Sequence, residues 1–160
     1  MIKIDITSEG LAQGNIFRLT VEGRLAEARR YLASDRLRDA LEACGLALLV
    51  APRRVDVLTL YADVMSGYGH LHTAVSIAEV ATETNPKNSY AKAYLAQSYR
   101  RVGRYNEAVA SLRGATALEP QEPEHWLELG DMLEEIGFNE VTVRPVVGQH
   151  SLVGGDAVAG

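Results

Sequence analysis

Three prolines, Pro52, Pro86 and Pro120, stand 34 residues apart twice over, and no other feature of the chain constrains its fold as tightly. A fixed period of this length marks an array in which each unit is one supersecondary element. With the prolines in register, other columns line up. Small residues recur as Ala28, Ala62, Ala96 and Gly130, as Ala40, Ala74 and Ala108, and as Ala47, Ala81 and Ala115. A bulky column runs Tyr31, Met65, Tyr99 and Leu133, and a turn column runs Asp35, Gly69, Gly103 and Gly137.

Each unit reads as a helical hairpin. Apolar residues follow two helical patterns of about 13 residues per period, which for the third unit predicts helices over 89–101 and 105–118. The turn column supplies the left-handed backbone that ends a first helix, free for glycine and tolerated at some cost by Asp35. The residue before each proline is pushed out of helical geometry, so the second helix stops there. Small columns let neighbouring helices lie close while the bulky column fills the space beside them. The predicted class is all-α: an α-α superhelix of stacked antiparallel hairpins with short non-helical or strand-like termini.

Composition is consistent with this. A chain of 160 residues is expected to form one domain, and 47% hydrophobic with 23% charged residues is globular rather than disordered. Only 6% of residues are aromatic, which favours alanine-mediated helix packing over a sheet sandwich. A net charge of -5 argues against a nucleic acid or an anionic membrane surface as partner. The single cysteine, Cys44, excludes an internal disulfide framework. The start MIKIDITSEG holds no long apolar run, and the longest one, Leu46 to Ala51, is far too short to cross a bilayer. A secretory leader and membrane insertion are therefore not expected, and the expected compartment is the cytoplasm.

At this point the chain resembles the tetratricopeptide repeat family. The family pattern of Trp, Leu-Gly and a large residue is met by Trp126, Leu129, Gly130 and Leu133 in WLELGDML, and its later Ala, large residue and Pro by Ala108, Leu112 and Pro120. The resemblance covers residues 21–138 and implies repeats at 21–54, 55–88 and 89–122 with a capping helix at 123–136. Pro123 suits the first turn of that helix. The run Glu124, Glu128, Asp131, Glu134 and Glu135 gives it the charged outer face that closes such a stack. One inward column holds Leu58 and Trp126, and another Tyr61, Leu95 and Leu129, whereas the first repeat has Arg24 and Glu27 there, and the third has Lys92. Its apolar stripe is instead Val21, Leu25, Ala28 and Leu32, rotated towards the groove, where Gly10 to Thr20 of the N-terminal extension 1–20 is expected to pack through Ile16, Phe17 and Leu19.

The two ends fall outside the period. Residues 1–7 alternate Ile2, Ile4 and Ile6 with polar residues, as a short strand does. Residues 141–147 are β-branched, though Pro145 confines such a strand to an edge. The tail 139–160 is expected to be strand-like or flexible. Pairing of either end with a partner or a second copy would be β-augmentation. The 13 residues between the first run and Val21 reach at most ~45 Å, so pairing between chains is easier than pairing within one.

No catalytic constellation is present. His70 and His72 are two apart in a turn and have no further ligands for zinc. Cys44 lies between Ala40 and Ala47 on a buried helix face, as a small core residue. His125 adjoins Trp126 without a matched acid or hydroxyl. The glycines form no phosphate-binding pattern. The chain is read as a non-enzyme that needs no metal or cofactor.

Surface remains. In the family the first helices of successive repeats line a concave groove that holds a segment of another protein. Carried over by register, that groove is lined by Leu25, Arg29 and Leu32, by Thr59, Asp63 and Ser66, by Ala93, Gln97 and Arg100, and by Leu127, Asp131 and Glu134. Members that grip chaperone carboxyl termini use Lys, Asn and Arg where this chain offers Leu25, Tyr90 and Tyr94, so that specificity is not expected here. Residues 21–54 hold seven basic and five acidic side chains, while 123–140 hold six acidic and none basic. Head-to-tail contact between copies or an acidic partner at the first repeat would suit that asymmetry. The resemblance implies a non-catalytic interaction module, an adaptor or scaffold binding a peptide segment or protein. The alternatives are a dedicated chaperone of a secreted or assembly-prone subunit, as in small bacterial relatives, and a scaffold self-assembling through its termini.

Overall fold

All four residues of the turn column have a left-handed backbone in the computed structural model, which describes residues 20–137. Their φ values are 56° at Asp35, 80° at Gly69, 76° at Gly103 and 67° at Gly137. Asp35 is the one residue besides glycine among those described to adopt a positive φ, and it carries the Cβ penalty the glycines avoid.

Seven helices result: α1 Val21–Ala33, α2 Leu37–Val50, α3 Val55–Gly67, α4 Leu71–Thr84, α5 Ser89–Arg101, α6 Tyr105–Leu118 and α7 Pro123–Glu135. No strand occurs among the described residues. The third-unit helices coincide with the ranges predicted from periodicity. The strand-like runs at 1–7 and 141–147, and the packing of Ile16, Phe17 and Leu19, lie outside the described residues.

Local sequence sets the ends. Thr20 caps α1 by accepting from the Gly23 amide at 3.1 Å, and Asn88 caps α5 by accepting from Ala91 at 2.8 Å. The other five helices have no side-chain hydrogen bond from the N-cap residue. The C-terminal residues of the second helices, Ala51, Asn85 and Glu119, have ψ of 68°, 65° and 75°. Each precedes a proline, and each has left helical geometry at the same angle. The period is thus a backbone repeat as well as a sequence one.

Consecutive helices pack on one another, and first helices also touch across a hairpin, α1 on α3 and α3 on α5. The small columns lie at these closest approaches. Ala28, Ala62, Ala96, Ala40, Ala108, Ala47, Ala81 and Ala115 are fully buried, and Ala74 nearly so. Leu112, also fully buried, contributes about 1.5–3 kcal/mol through removal from water. Between hairpins, Arg54 at the start of α3 reaches Glu22 of α1 at 2.6 Å while also pairing with Asp56 of its own helix at 2.6 Å, and the Asn85 amide donates to the Arg53 carbonyl at 3.0 Å.

The last helix departs from the sequence reading in three places. Gly130, fourth member of a buried column, is exposed, and a Cβ there would meet nothing within 4 Å. Trp126, expected in the same inward column as the buried Leu58, is 51% exposed and donates from Nε1 to the Pro120 carbonyl. The corresponding positions of α1, α3 and α5 are covered by the second helix of their own hairpin, and α7 has none among the described residues. Its outer face is also not purely charged. Leu127 is 66% exposed, while Glu128 turns inward.

Candidate binding groove

The first helices α3, α5 and α7 together line a cavity of about 290 Å³. Its wall consists of Asp63 from α3, Tyr90, Ala93, Tyr94, Gln97 and Arg101 from α5, and Glu124, His125 and Glu128 from α7. Helical spacing explains the set. Positions 90, 94, 97 and 101 form one i, i+4, i+7, i+11 edge of α5, and 124, 125 and 128 form the facing edge of α7.

Tyr94 organises the inner end. Its hydroxyl lies 2.6 Å from Asp63 Oδ1 and 2.9 Å from the Thr59 carbonyl, so one proton is shared between two acceptors. Burial pushes the Asp63 carboxyl above its ordinary range, against the opposing pull of the Tyr94 hydrogen bond and then of Arg101. Burial and the adjoining carboxylate likewise push the Tyr94 phenol up. Arg101 stands 3.8 Å from Asp63 and donates to Ser66 Oγ at 3.4 Å. Tyr90 continues the aromatic wall, with ring centroids 6.4 Å from Tyr94.

The outer end is different. The Gln97 amide donates to Glu128 Oε1 at 2.9 Å, which holds the carboxylate in place. Its other oxygen, Oε2, is buried without a partner among the described residues. His125 is 7% exposed, and its Nε2 is likewise buried and unpartnered. Buried polar atoms are nearly always satisfied, and these two face one cavity.

Three of the twelve sequence-derived groove residues, Asp63, Ala93 and Gln97, line the cavity. Ser66 adjoins it through Arg101. Leu25 and Thr59 are buried, 2% and 4% exposed, and Leu32 is half-buried against Gly67 and Leu37. Leu25 belongs to the core with Val57 and Leu60 rather than to an open surface. Arg29 is exposed, and Arg100 is exposed but paired with Glu135 at 2.7 Å. Leu127, Asp131 and Glu134 are exposed and lie outside the cavity, because the edge of α7 that faces α5 carries 124, 125 and 128. Sequence reasoning placed Tyr90 and Tyr94 on this wall but missed Arg101, Glu124, His125 and Glu128. For Glu124 and Glu128 the signal is their position one period on from Tyr90 and Tyr94.

Other candidates carry less. A wider, shallower hollow of about 580 Å³ beside Gly103 and Ile136 is lined by Arg104, Glu107, Tyr105 and Glu135. There Arg104 pairs with Glu107 and covers the Tyr99 ring, and Tyr105 donates to Glu135. Cys44 is fully buried, and burial pushes its thiol up to about 11, which suits core packing and not nucleophilic chemistry. Among the described residues, no group of three or more His, Cys, Asp or Glu is placed to hold a metal ion, and no helix is long and apolar enough to cross a membrane.

Residues 91–132 match the tetratricopeptide repeat family model. No curated protein matches the chain by sequence. Among solved structures, the chain is similar to a thermophilic TPR protein of Thermus thermophilus, at 23% identity and a TM-score of 0.66 over 81% of this chain and 70% of that one. It is similar to the Sgt2 TPR domain from Aspergillus fumigatus, at 22% identity and a TM-score of 0.65 over 73% and 79%. The first TPR of Spaghetti (RPAP3), solved bound to an HSP90 peptide, aligns at 15% identity and a TM-score of 0.62 over 73% and 93%. These likenesses establish the solenoid fold.

Proposed function

The chain is a tetratricopeptide repeat protein, and from that premise we propose that it is a non-catalytic adaptor or scaffold whose residues 21–138 hold a segment of another polypeptide. The observation that carries this reading is the cavity on the first-helix wall. It contains two buried polar atoms, His125 Nε2 and Glu128 Oε2, that have no hydrogen-bond partner among the described residues. Leaving such groups unsatisfied costs about 1–3 kcal/mol each, and an incoming segment with complementary groups would offset that. A relative of the same fold is solved with a bound peptide, which is consistent with this use of the wall. The working groove comprises Asp63, Ala93 and Gln97 from the sequence-derived set, joined by Tyr90, Tyr94, Arg101, Glu124, His125 and Glu128.

A photo-crosslinking amino acid placed at Gln97 tests the reading, with the exposed Val80 on α4 as control. Adducts to another polypeptide should form from position 97 and not from 80. Adducts from 80 alone, or from neither, would defeat the groove assignment.

A further inference from the structure

The groove proposed above has a chemical bias of its own. Three carboxylates line it, Asp63, Glu124 and Glu128, against one guanidinium, Arg101. That cation is already engaged with Asp63 and with Ser66. Glu128 is held by Gln97 through Oε1, which leaves Oε2 free to accept. A carboxylate oxygen can only accept, so its missing partner is a donor. His125, more than nine-tenths buried and lining the same cavity, provides a further acceptor at Nε2 when its proton sits on Nδ1. Tyr90 and Tyr94 line the same cavity beside these acceptors, and aromatic rings attract cations at their faces. The volume, about 290 Å³, is at the lower limit of ligand pockets and suits one long side chain rather than a whole small molecule.

We propose that this cavity is a specificity pocket for a single basic side chain, lysine or arginine, projecting from the partner segment. Glu128 Oε2 is its principal acceptor, and Asp63 and His125 complete the site. The proposal rests on the groove reading, which supplies the segment, and adds the charge that the segment must carry. It assigns the opposite polarity from a pocket that grips a carboxylate, since such a pocket needs free cations here and the one present is already paired.

Random heptapeptides displayed on phage, panned against the full chain, test the pocket. Binders should share a lysine or arginine at one fixed position. A synthetic peptide from that set should lose roughly thirtyfold in affinity against Glu128→Gln, the loss expected when a buried charged pair forfeits one charge. Asp63→Asn carries the same test through a second carboxylate, and circular dichroism of both variants verifies that the helices persist. Gln97→Trp, which fills the exposed mouth, separates two kinds of failure. Peptides that are blocked by Gln97→Trp but show no basic preference, or that keep their affinity for both neutral variants, overturn the pocket and leave the groove standing. Peptides indifferent to Gln97→Trp, or an absence of selected binders, overturn the groove and the pocket together.

Discussion

Replacing Tyr94 by phenylalanine removes one oxygen and leaves the apolar ring in place, so the outcome isolates the hydroxyl. That hydroxyl donates at 2.6 Å to the half-buried Asp63 carboxylate. A hydrogen bond to a charged group contributes about 1.5–3 kcal/mol and one to a neutral group about 0.5–1.5. Asp63 is partly open to solvent, so the expected cost of Tyr94→Phe is about 2 kcal/mol with Asp63 ionised and about 1 kcal/mol with it protonated. Burial raises the Asp63 carboxyl above the ordinary carboxylate range. In the window between the unfolded value and the raised folded one, the folded chain retains a proton that the unfolded chain has released. The stability from this group is therefore complete below the unfolded value and is lost as pH rises through the folded one. Tyr94 counters the shift, and its removal moves the folded value further up. The deficit of the variant should accordingly grow on passing from acid to neutral pH. Urea unfolding of both proteins at pH 3 and pH 7 measures it, and Asp63→Asn in a double-mutant cycle assigns it. Equal deficits at the two pH values, or no coupling between positions 63 and 94, would refute the reasoning.

The glycines of the repeat should behave oppositely according to backbone rather than position in the alignment. Gly130→Ala fills open space in a helix interior and should raise unfolding free energy by about 0.4–1 kcal/mol, read from chemical denaturation. Gly103→Ala forces a Cβ onto a φ of 76° and should lower it by about 1–2 kcal/mol, seen as a reduced denaturation midpoint with an unchanged slope. Cys44 should resist a thiol reagent at pH 8 in the folded chain and react fully in urea, because its thiol is buried and raised to about 11; rapid labelling of the folded protein would contradict its core placement.

The solenoid was legible because it is encoded locally. Helix ends depend on single residues, a left-handed turn or a proline, and the alanine columns report close approach wherever they recur. The groove was only partly legible. Columns carried by register identify which helix supplies a wall, and Asp63, Ala93 and Gln97 were reached that way. They do not identify where two adjacent helices open a gap, which depends on the facing edges of α5 and α7. Leu25 illustrates the difference: its column is the groove column, yet in the first repeat the core takes it. Gly130 and Trp126 illustrate another. Their identities encode burial under a second helix, and exposure follows from the absence of one beside α7 among the described residues.

Among the described residues, no hydrogen bond or ion pair joins positions further apart in sequence than Arg101 and Asp63. Cohesion is thus passed from layer to layer with no distant fastening. The cavity straddles three such layers, and its outer lip belongs to the terminal one. That lip is secured to α5 by Gln97 with Glu128 and by Arg100 with Glu135. Peeling of the terminal layer and loss of the pocket are consequently a single equilibrium. An occupant bridging Asp63 and Glu128 would act as a rivet, so its grip should be felt as slower amide exchange throughout α7, including turns it never touches.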